Sequence, residues 1–239
     1  MPLPNNSTTR LPSGVTNVTV ADIFANMTQP VPTGYATYFD DFTTYAAGDW
    51  VVTETDAGAT QALTAGSGGL LLVTNTAADD DLVALQKTPA MITMAATQQT
   101  WFSARFKVSD ATQSDVVMGL QAIDTTPLDV TDGIYLLKAD GAATFDVVCR
   151  KNATTGSTSA TAVASLVADT FVVFQWYYDG DGKLFYGTNG AVLGSLSVAD
   201  YFPDTGLTVS FALQNGEAVA KTMTVDYVYC AQTRTASGA

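Results

Sequence analysis

The segment from Phe171 to Gly187, FVVFQWYYDGDGKLFYG, constrains the fold of this chain more than any other. Every second side chain in its first half is apolar or aromatic, namely Val172, Phe174, Trp176 and Tyr178. A period of two in such residues predicts a strand, and we expect this set to face the core. The sequence DGDG at 179–182 suits a tight turn, after which 183–186 is predicted to return as the partner strand. We therefore expect the rest of the chain to pack around this hairpin.

Further segments with strand character follow one another along the chain with turn signals between them. They are 70–74, 82–86, 100–108, 115–123, 132–138, 143–150, 207–214 and 223–230. Apart from a turn near 198–202, this region shows no helical pattern. About ten to thirteen short strands predict an all-β fold, a two-sheet antiparallel β-sandwich. We place the sandwich at 35–231 and a polar tail at 232–239.

The charge of the chain limits the partners that it can bind. The formal net charge is −13, with 10 Lys plus Arg among 239 residues. Such a surface repels phosphate groups, so we expect neither nucleic-acid nor membrane binding. No apolar run reaches the ~20 residues that span a bilayer. The first residues lack the apolar region of a signal peptide, so secretion by that route is not expected.

The residue inventory also limits the chemistry. The chain has no His, which excludes His-based triads and His metal sites. We therefore predict that the protein is not an enzyme. Cys149 alternates in phase with Phe145, whereas Cys230 is out of phase with Val225. The two cysteines are accordingly predicted to point in different directions and not to form a disulfide.

Two acidic segments are weak candidates for a calcium site. Asp179 and Asp181 alternate in the DGDG turn, and Asp80 lies in a run of three Asp residues. Carboxylates at such spacing can share a Ca²⁺ ion. A simple hairpin turn and a solvated loop are the favoured interpretations, so no cofactor is expected and Ca²⁺ is the alternative.

Three aromatic residues of the hairpin are weak candidates for carbohydrate binding. Tyr177, Phe185 and Tyr186 could stack against a sugar if they were exposed. Partial burial on the sheet is the simpler interpretation of the same residues.

Residues 1–34 differ from the rest of the chain. They contain five of its eight prolines, which favours an extended arm. Within the arm, apolar residues at i, i+3, i+4 and i+7 predict a short helix at 19–28. These residues are Val20, Ile23, Phe24 and Met27. A helix this short is marginal alone, so we expect the four side chains to dock onto another chain.

Several short motifs, taken in order, carry a resemblance to a known fold family. They are Phe39-Asp40-Asp41-Phe42 with Trp50, then 69–72, 101–108, 176–183 and 225–229. In this order the chain resembles the concanavalin A-like lectin/glucanase superfamily, the jelly-roll sandwich shared with laminin-G-like modules. The resemblance implies that the first and last strands lie close together in one sheet. Glycosidases of this superfamily use a Glu-x-Asp-x-Glu strand, and neither Glu54 nor Glu217 lies in such a pattern.

The chain also resembles virion accessory proteins of tailed bacteriophages. This resemblance implies a non-enzymatic capsid decoration protein whose arm binds the major capsid protein or another virion protein. We would then expect a homo-oligomer on the capsid surface, assembled in the host cytoplasm. The alternative is a lectin-like module that binds a glycan, such as a receptor-binding tail component.

Overall fold

The computed structural model of the chain describes residues 22–24, 34–153 and 159–234. This part of the chain contains sixteen β-strands and two 3₁₀ turns, at Ala47–Asp49 and Pro127–Asp129. In chain order the strands are β1 Tyr35–Asp40, β2 Trp50–Glu54, β3 Thr60–Thr64, β4 Leu70–Thr74, β5 Leu82–Lys87, β6 Ile92–Thr93, β7 Thr100–Val108, β8 Ser114–Gln121, β9 Gly133–Lys138, β10 Thr144–Arg150, β11 Ala160–Ser165, β12 Val172–Tyr178, β13 Lys183–Thr188, β14 Ala191–Ser197, β15 Gly206–Asn215 and β16 Thr222–Thr233. Within the described ranges, no helix has the length and apolar character that crossing a membrane requires.

The strands form two antiparallel sheets of eight strands each. The first sheet has the order β14-β13-β12-β7-β16-β4-β3, and β1 also pairs with β16. The second sheet has the order β11-β10-β9-β8-β15-β5-β2, and β6 also pairs with β15. The predicted two-sheet antiparallel sandwich is therefore confirmed. The first and last strands are neighbours, as the resemblance implied, with Tyr35 opposite Thr233 and Asp40 opposite Val228.

The inner faces of the two sheets share one large apolar core. The alternation in β12 correctly predicted its inner face, because Phe174 and Trp176 are fully buried there. Trp176 stacks on Phe102 of β7, with ring centroids 5.8 Å apart. Across the sandwich, Phe145 of β10 meets Phe174 edge to face at 5.9 Å. This edge-to-face arrangement is a favoured geometry for aromatic pairs, and it joins the two sheets at the central hairpin.

The outer face of the second sheet is covered by residues 122–132, which connect β8 to β9. Val130 from this connection is fully buried against apolar side chains of the sheet. The side-chain amide of Gln86 holds the connection in place through two hydrogen bonds. It donates to the carbonyl of Ala122 and accepts the backbone N–H of Asp124, each at 2.9 Å. The chain itself therefore occupies this face.

A β-bulge in β16 changes which of its side chains face the core. The pairing with β7 shifts register between Val225 and Tyr227, which leaves Asp226 as the extra residue. Val225 and Cys230 consequently face the same core. The prediction that Cys230 is out of phase with Val225 is wrong, because it assumed an unbroken period of two. Burial raises the pKa of both thiols, Cys149 and Cys230, to about 12.

The sandwich extends slightly past its predicted end. β16 continues through Gln232 and Thr233, and the backbone N–H of Arg234 donates to the carbonyl of Gly34 at 2.9 Å. The first residues of the predicted polar tail therefore belong to the first sheet. Residues 235–239 lie outside the described part of the chain.

Lys221, just before β16, is buried and binds two carboxylates. Its Nζ lies 2.8 Å from Asp110 Oδ2 and 2.5 Å from Glu217 Oε1. Oδ1 of Asp110 also accepts the backbone N–H groups of Thr112 and Gln113. The hydrogen bond from Lys221, supported by these backbone N–H groups, lowers the pKa of Asp110 from 3.8 to about 2.

Truncation of Trp176 to alanine tests the core assignment. Trp176→Ala should reduce the free energy of unfolding by roughly 3–5 kcal/mol, because a large buried ring leaves a cavity. Urea denaturation followed by circular dichroism measures this change. Val167 is 60% exposed, so Val167→Ala is a control that should change stability by less than ~0.5 kcal/mol. Unfolding of Trp176→Ala at the wild-type urea concentration would show that the core is assigned wrongly.

The ion cluster around Lys221 predicts a dependence of stability on acidic pH. Since the folded-state pKa of Asp110 is lowered, its stabilisation is present above pH 3.8 and is lost as the pH falls towards 2. Asp110→Asn should remove this part, about 1 kcal/mol or less for a partly exposed pair, and flatten the curve between these pH values. Urea denaturation across this pH range measures it, with the exposed Asp200→Asn as control. Equal slopes for wild type and Asp110→Asn would contradict the prediction.

Candidate functional site

A pocket opens at the rim of the sandwich, where three loops meet. They are 94–99 before β7, the hairpin turn 179–182, and 198–205 between β14 and β15. Lys151, directly after β10, also lines the pocket. The pocket has a volume of about 560 Å³, which lies in the usual range for small-molecule sites.

Tyr178 holds two of these loops together. It is the last residue of β12 and is buried. Its hydroxyl donates to the carbonyl of Ala96 at 2.9 Å and accepts the backbone N–H of Gly182 at 3.2 Å. Burial raises the pKa of Tyr178, so the hydroxyl stays protonated and keeps both hydrogen bonds.

The third loop is fastened to the same hairpin turn. The backbone N–H of Val198 donates to the carbonyl of Gly182 at 3.0 Å. The N–H of Tyr201 then donates to the carbonyl of Val198 at 3.1 Å, which closes the turn that the sequence predicted near 198–202. The walls of the pocket are thus tied to one another by the Tyr178 hydroxyl and by hydrogen bonds between backbone groups.

An aromatic pair forms the apolar wall of the pocket. The rings of Phe202 and Tyr178 lie 4.7 Å apart between centroids, at an angle of 41°. Phe202 is only partly buried, so part of its ring faces the pocket. Gly182 has a φ of +87° and no atom within 4 Å of the place where a Cβ would lie, so the pocket is open there.

Charged side chains line the pocket beside the aromatic pair. Lys151 Nζ lies 2.9 Å from Asp204 Oδ2, and their side chains are 35% and 51% exposed. Asp181 is exposed on the hairpin turn. One ammonium group and two carboxylates therefore accompany the aromatic wall, so the pocket can contact an apolar face and several polar groups of one ligand.

Of the segments that line this pocket, the sequence predicts the hairpin turn and the turn near 198–202. Met94, Lys151, Phe202 and Asp204 carry no motif, and they come from segments far apart in the chain. Strand pairing brings these segments to one rim. The signal for a turn at 198–202 was present in the sequence, but it did not indicate which other loops the turn would meet.

Of the acidic candidates for a calcium site, the Asp179 carboxylate has a structural role, and Asp80 lies in a loop. Oδ1 of Asp179 accepts the backbone N–H groups of Asp181 and Lys183, at 2.7 and 3.0 Å, and so caps the hairpin turn. Asp80 adopts a φ of +56° in its loop, and its carbonyl accepts a hydrogen bond from the side chain of Gln214. Over the described residues, no three His, Cys, Asp or Glu side chains come together as a metal site.

Of the three aromatic candidates for carbohydrate binding, Tyr177 and Tyr186 are buried and Phe185 is partly buried. Tyr186 faces the core, and Tyr177 is only 4% exposed. Tyr177 stacks between Trp101 and Phe185, with centroid distances of 5.2 and 6.1 Å. These three are direct cross-strand partners on β7, β12 and β13, so their ring faces are turned towards one another. Partial burial on the outer face of the first sheet therefore replaces the sugar-stacking interpretation.

Residues 22–24 of the predicted arm lie on the same outer face, and we call this segment the strap. Ile23 is 3% exposed and packs with Trp101, Tyr177 and Ala231. The ring of Phe24 lies 6.2 Å from that of Tyr229. Here the sandwich of the same chain supplies that surface, and the expected docking of Ile23 and Phe24 onto another chain stays a prediction.

The strap is not helical, contrary to the helix predicted at 19–28. Asp22 forms an antiparallel β-bridge with Ala191 of β14, and the next two residues form a turn. The carboxylate of Asp22 accepts the N–H of Phe24 at 2.8 Å, a local bond that competes with helix formation. Val20 and Met27, the other two predicted docking residues, lie outside the described residues.

Comparison with known proteins supports the fold. No protein-family model matches the chain, and no curated protein is similar to it in sequence. Among solved structures, an endo-1,3-β-glucanase from Streptomyces sioyaensis is 11% identical with a TM-score of 0.61, covering 87% of this chain and 99% of its own. The carbohydrate recognition domain of Emp47p is 12% identical with a TM-score of 0.57, covering 84% and 98%. A protein of unknown function from Shewanella oneidensis MR-1 is 16% identical with a TM-score of 0.59, covering 86% and 88%.

These similarities establish the architecture and not the activity. At such low identity, the shared feature is the jelly-roll sandwich of concanavalin A-like lectins and glucanases, as the sequence motifs indicated. The comparisons give no support to the resemblance to phage virion proteins. The capsid role, its partners and its location stay predictions.

The role of Asp179 as a turn cap predicts an effect on stability that does not depend on calcium. Asp179→Ala should cost about 1 kcal/mol, because two backbone N–H groups lose their acceptor. Asp181→Ala is the matched control in the same turn and should cost less. Thermal unfolding with and without millimolar Ca²⁺ measures both effects. A rise of several degrees with Ca²⁺ that Asp179→Ala abolishes would show that this turn binds the ion.

Proposed function

We propose that this protein is a non-catalytic carbohydrate-binding module and that the rim pocket takes the sugar. The observation that carries the proposal is the composition of the pocket, an aromatic wall beside charged side chains in a space of about 560 Å³. Sugars have an apolar face of C–H groups and a rim of hydroxyl groups, which this combination can contact together.

The residues of the pocket have distinct roles in this proposal. The part of Phe202 that faces the pocket stacks against the C–H face of a pyranose ring, and the contact with Tyr178 holds Phe202 in place. Asp181 and Asp204 accept hydrogen bonds from sugar hydroxyls, and Lys151 donates one. Since Lys151 and Asp204 already form an ion pair, both are oriented before the ligand arrives.

Segments of the chain itself cover the outer faces of the two sheets, which supports placing the sugar site at the rim. Residues 122–132 cover the outer face of the second sheet, with Val130 buried beneath them. On the first sheet, the strap covers Trp101 and Tyr177. The similarity to the carbohydrate recognition domain of Emp47p agrees with the proposal at the level of fold.

The carboxylates of the pocket favour binding over hydrolysis. Asp181 and Asp204 are exposed to solvent, whereas the general acid of a glycosidase is typically desolvated so that it keeps its proton. The two glutamates lie elsewhere, since Glu54 is exposed at the end of β2 and Glu217 binds Lys221. The similarity to a glucanase is therefore attributed to the shared fold alone.

Glycan binding by the pocket is tested with matched aromatic variants. Screening the labelled full chain on a glycan array identifies a ligand, and calorimetry then measures its affinity. Phe202→Ala should weaken binding at least tenfold, because the stacking surface is lost. Phe39→Ala removes an aromatic side chain that is 59% exposed on the outer face of the first sheet, and it should leave affinity unchanged. Absence of any bound glycan, or equal affinity for Phe202→Ala and wild type, would refute the proposal.

The absence of catalysis is tested on the glycan that binds. Incubation with the full chain should release no new reducing ends. Turnover that disappears in Asp181→Asn or Asp204→Asn would show that the pocket is an active site.

A further inference from the structure

The strap rests in a preformed socket on the outer face of the first sheet. We define the socket by Trp101, Tyr177 and Ala231, which contact Ile23, and by the neighbouring rings of Phe185 and Tyr229. The stack of Trp101 on Tyr177 is locked by the sheet register. All of these residues belong to strands of the sandwich, so the socket keeps its shape whichever segment fills it.

The turn between β13 and β14 is shaped to receive the strap. The N–H of Ile23 donates to the carbonyl of Gly190 at 3.2 Å, while the N–H of Gly190 donates to Gln175 Oε1 at 2.8 Å. Gly190 has a φ of +83°, and a Cβ there would lie 2.7 Å from Asp22 Oδ2. A glycine is therefore needed both for the backbone conformation and for the close approach of Asp22.

The connection to the sandwich permits the strap to fill a socket other than its own. Residues 25–33, which lie outside the described part, join Phe24 to Gly34. At ~3.5 Å per residue this length of chain can span up to about 35 Å. A strap from a second copy would make the same contacts with the socket as the strap of the same chain.

Among the residues that the structure describes, apolar side chains on both sides of the strap are left exposed. Val192 and Leu193, next to Ala191 in the edge strand β14, are each 46% exposed. On the opposite side Phe39 is 59% exposed, with its ring 6.5 Å from that of Tyr229. Strand β14 also lacks the charged residues and prolines that usually protect a sheet edge from pairing. This apolar surface continues the interface between strap and socket.

We propose that two copies of this chain exchange straps, each filling the socket of the other. The exchange leaves every contact of the strap intact and brings the two sandwiches together beside the sockets. The exposed side chains at β14 and Phe39 are then covered between the two bodies, which favours exchange over the single chain. Reciprocal exchange gives a closed two-fold dimer, a common route to dimers in proteins with a detachable terminal segment.

A pair of introduced cysteines distinguishes exchange from self-docking. Asp22 and Ala191 are partners in an antiparallel bridge, a separation that a disulfide can span. The double variant Asp22→Cys with Ala191→Cys is oxidised at micromolar concentration as the full chain and run on a non-reducing gel. Each single variant serves as control, because Cys149 and Cys230 are buried.

The proposal expects an interchain disulfide in the double variant and a dimeric mass for the wild type by light scattering. A disulfide within one chain, no disulfide at all, or a monomeric wild type would each overturn it. Val192→Asp with Leu193→Asp should raise the dimer dissociation constant at least tenfold and turn the disulfide into an intrachain one. Val219, 50% exposed outside this surface, gives the control Val219→Asp, which should leave the dimer intact. An unchanged dissociation constant for the β14 variant would also overturn the proposal.

Discussion

The stack of Trp176 on Phe102 and the contact of Phe174 with Phe145 tie the central hairpin to both sheets. The rest of the structure depends on this arrangement, because the β12–β13 hairpin takes part in each feature with a functional consequence. Its inner side chains fill the core. Its outer side chains Tyr177 and Phe185 form part of the socket, and its turn forms one wall of the rim pocket. A strand can serve these purposes together because successive side chains point to opposite faces.

The few cationic side chains of this acidic protein are largely used for internal contacts. Lys221 is buried between two carboxylates, and Lys138 is buried with its ammonium group bonded to backbone carbonyls. Arg150 binds Asp129 within the segment that covers the second sheet. With a formal net charge of −13, the protein carries an excess of negative charge, which disfavours polyanionic ligands. The proposed sugar ligand and the proposed apolar contact between copies both agree with such a surface.

The two proposed roles, sugar binding and attachment, fall on different parts of the structure from those that the sequence predicts. Aromatic residues of the hairpin were candidates for sugar binding, and the arm was a candidate for attachment. In the structure Tyr177 lies under the strap, whereas the aromatic side chain that faces the pocket is the partly buried Phe202, in a different loop. Binding of a glycan and association of copies would therefore occur on separate surfaces. Each can be changed by substitution without affecting the other.

The sandwich and its buried strands could be predicted from the sequence alone. The bounds of β4 and β7 agree with the period-two segments at 70–74 and 100–108, because strands that pack on the core carry large apolar residues at alternate positions. The two-residue strand β6 and the strands β3, β11 and β14 were not predicted. The last three lie at sheet edges, bury little, and are rich in small or polar residues, so they leave only a weak pattern.

Three features could not be predicted from the sequence and are seen only in the tertiary structure. They are the bulge at Asp226, the docking of Ile23 and the assembly of the rim pocket. A bulge shifts every later side chain of β16 to the opposite face, and a pattern of alternation carries no mark of it. The pocket joins Lys151 to Phe202 through the order of strands in two sheets. That order is set by long-range pairing and packing, whereas the sequence records chiefly the local preference of each strand.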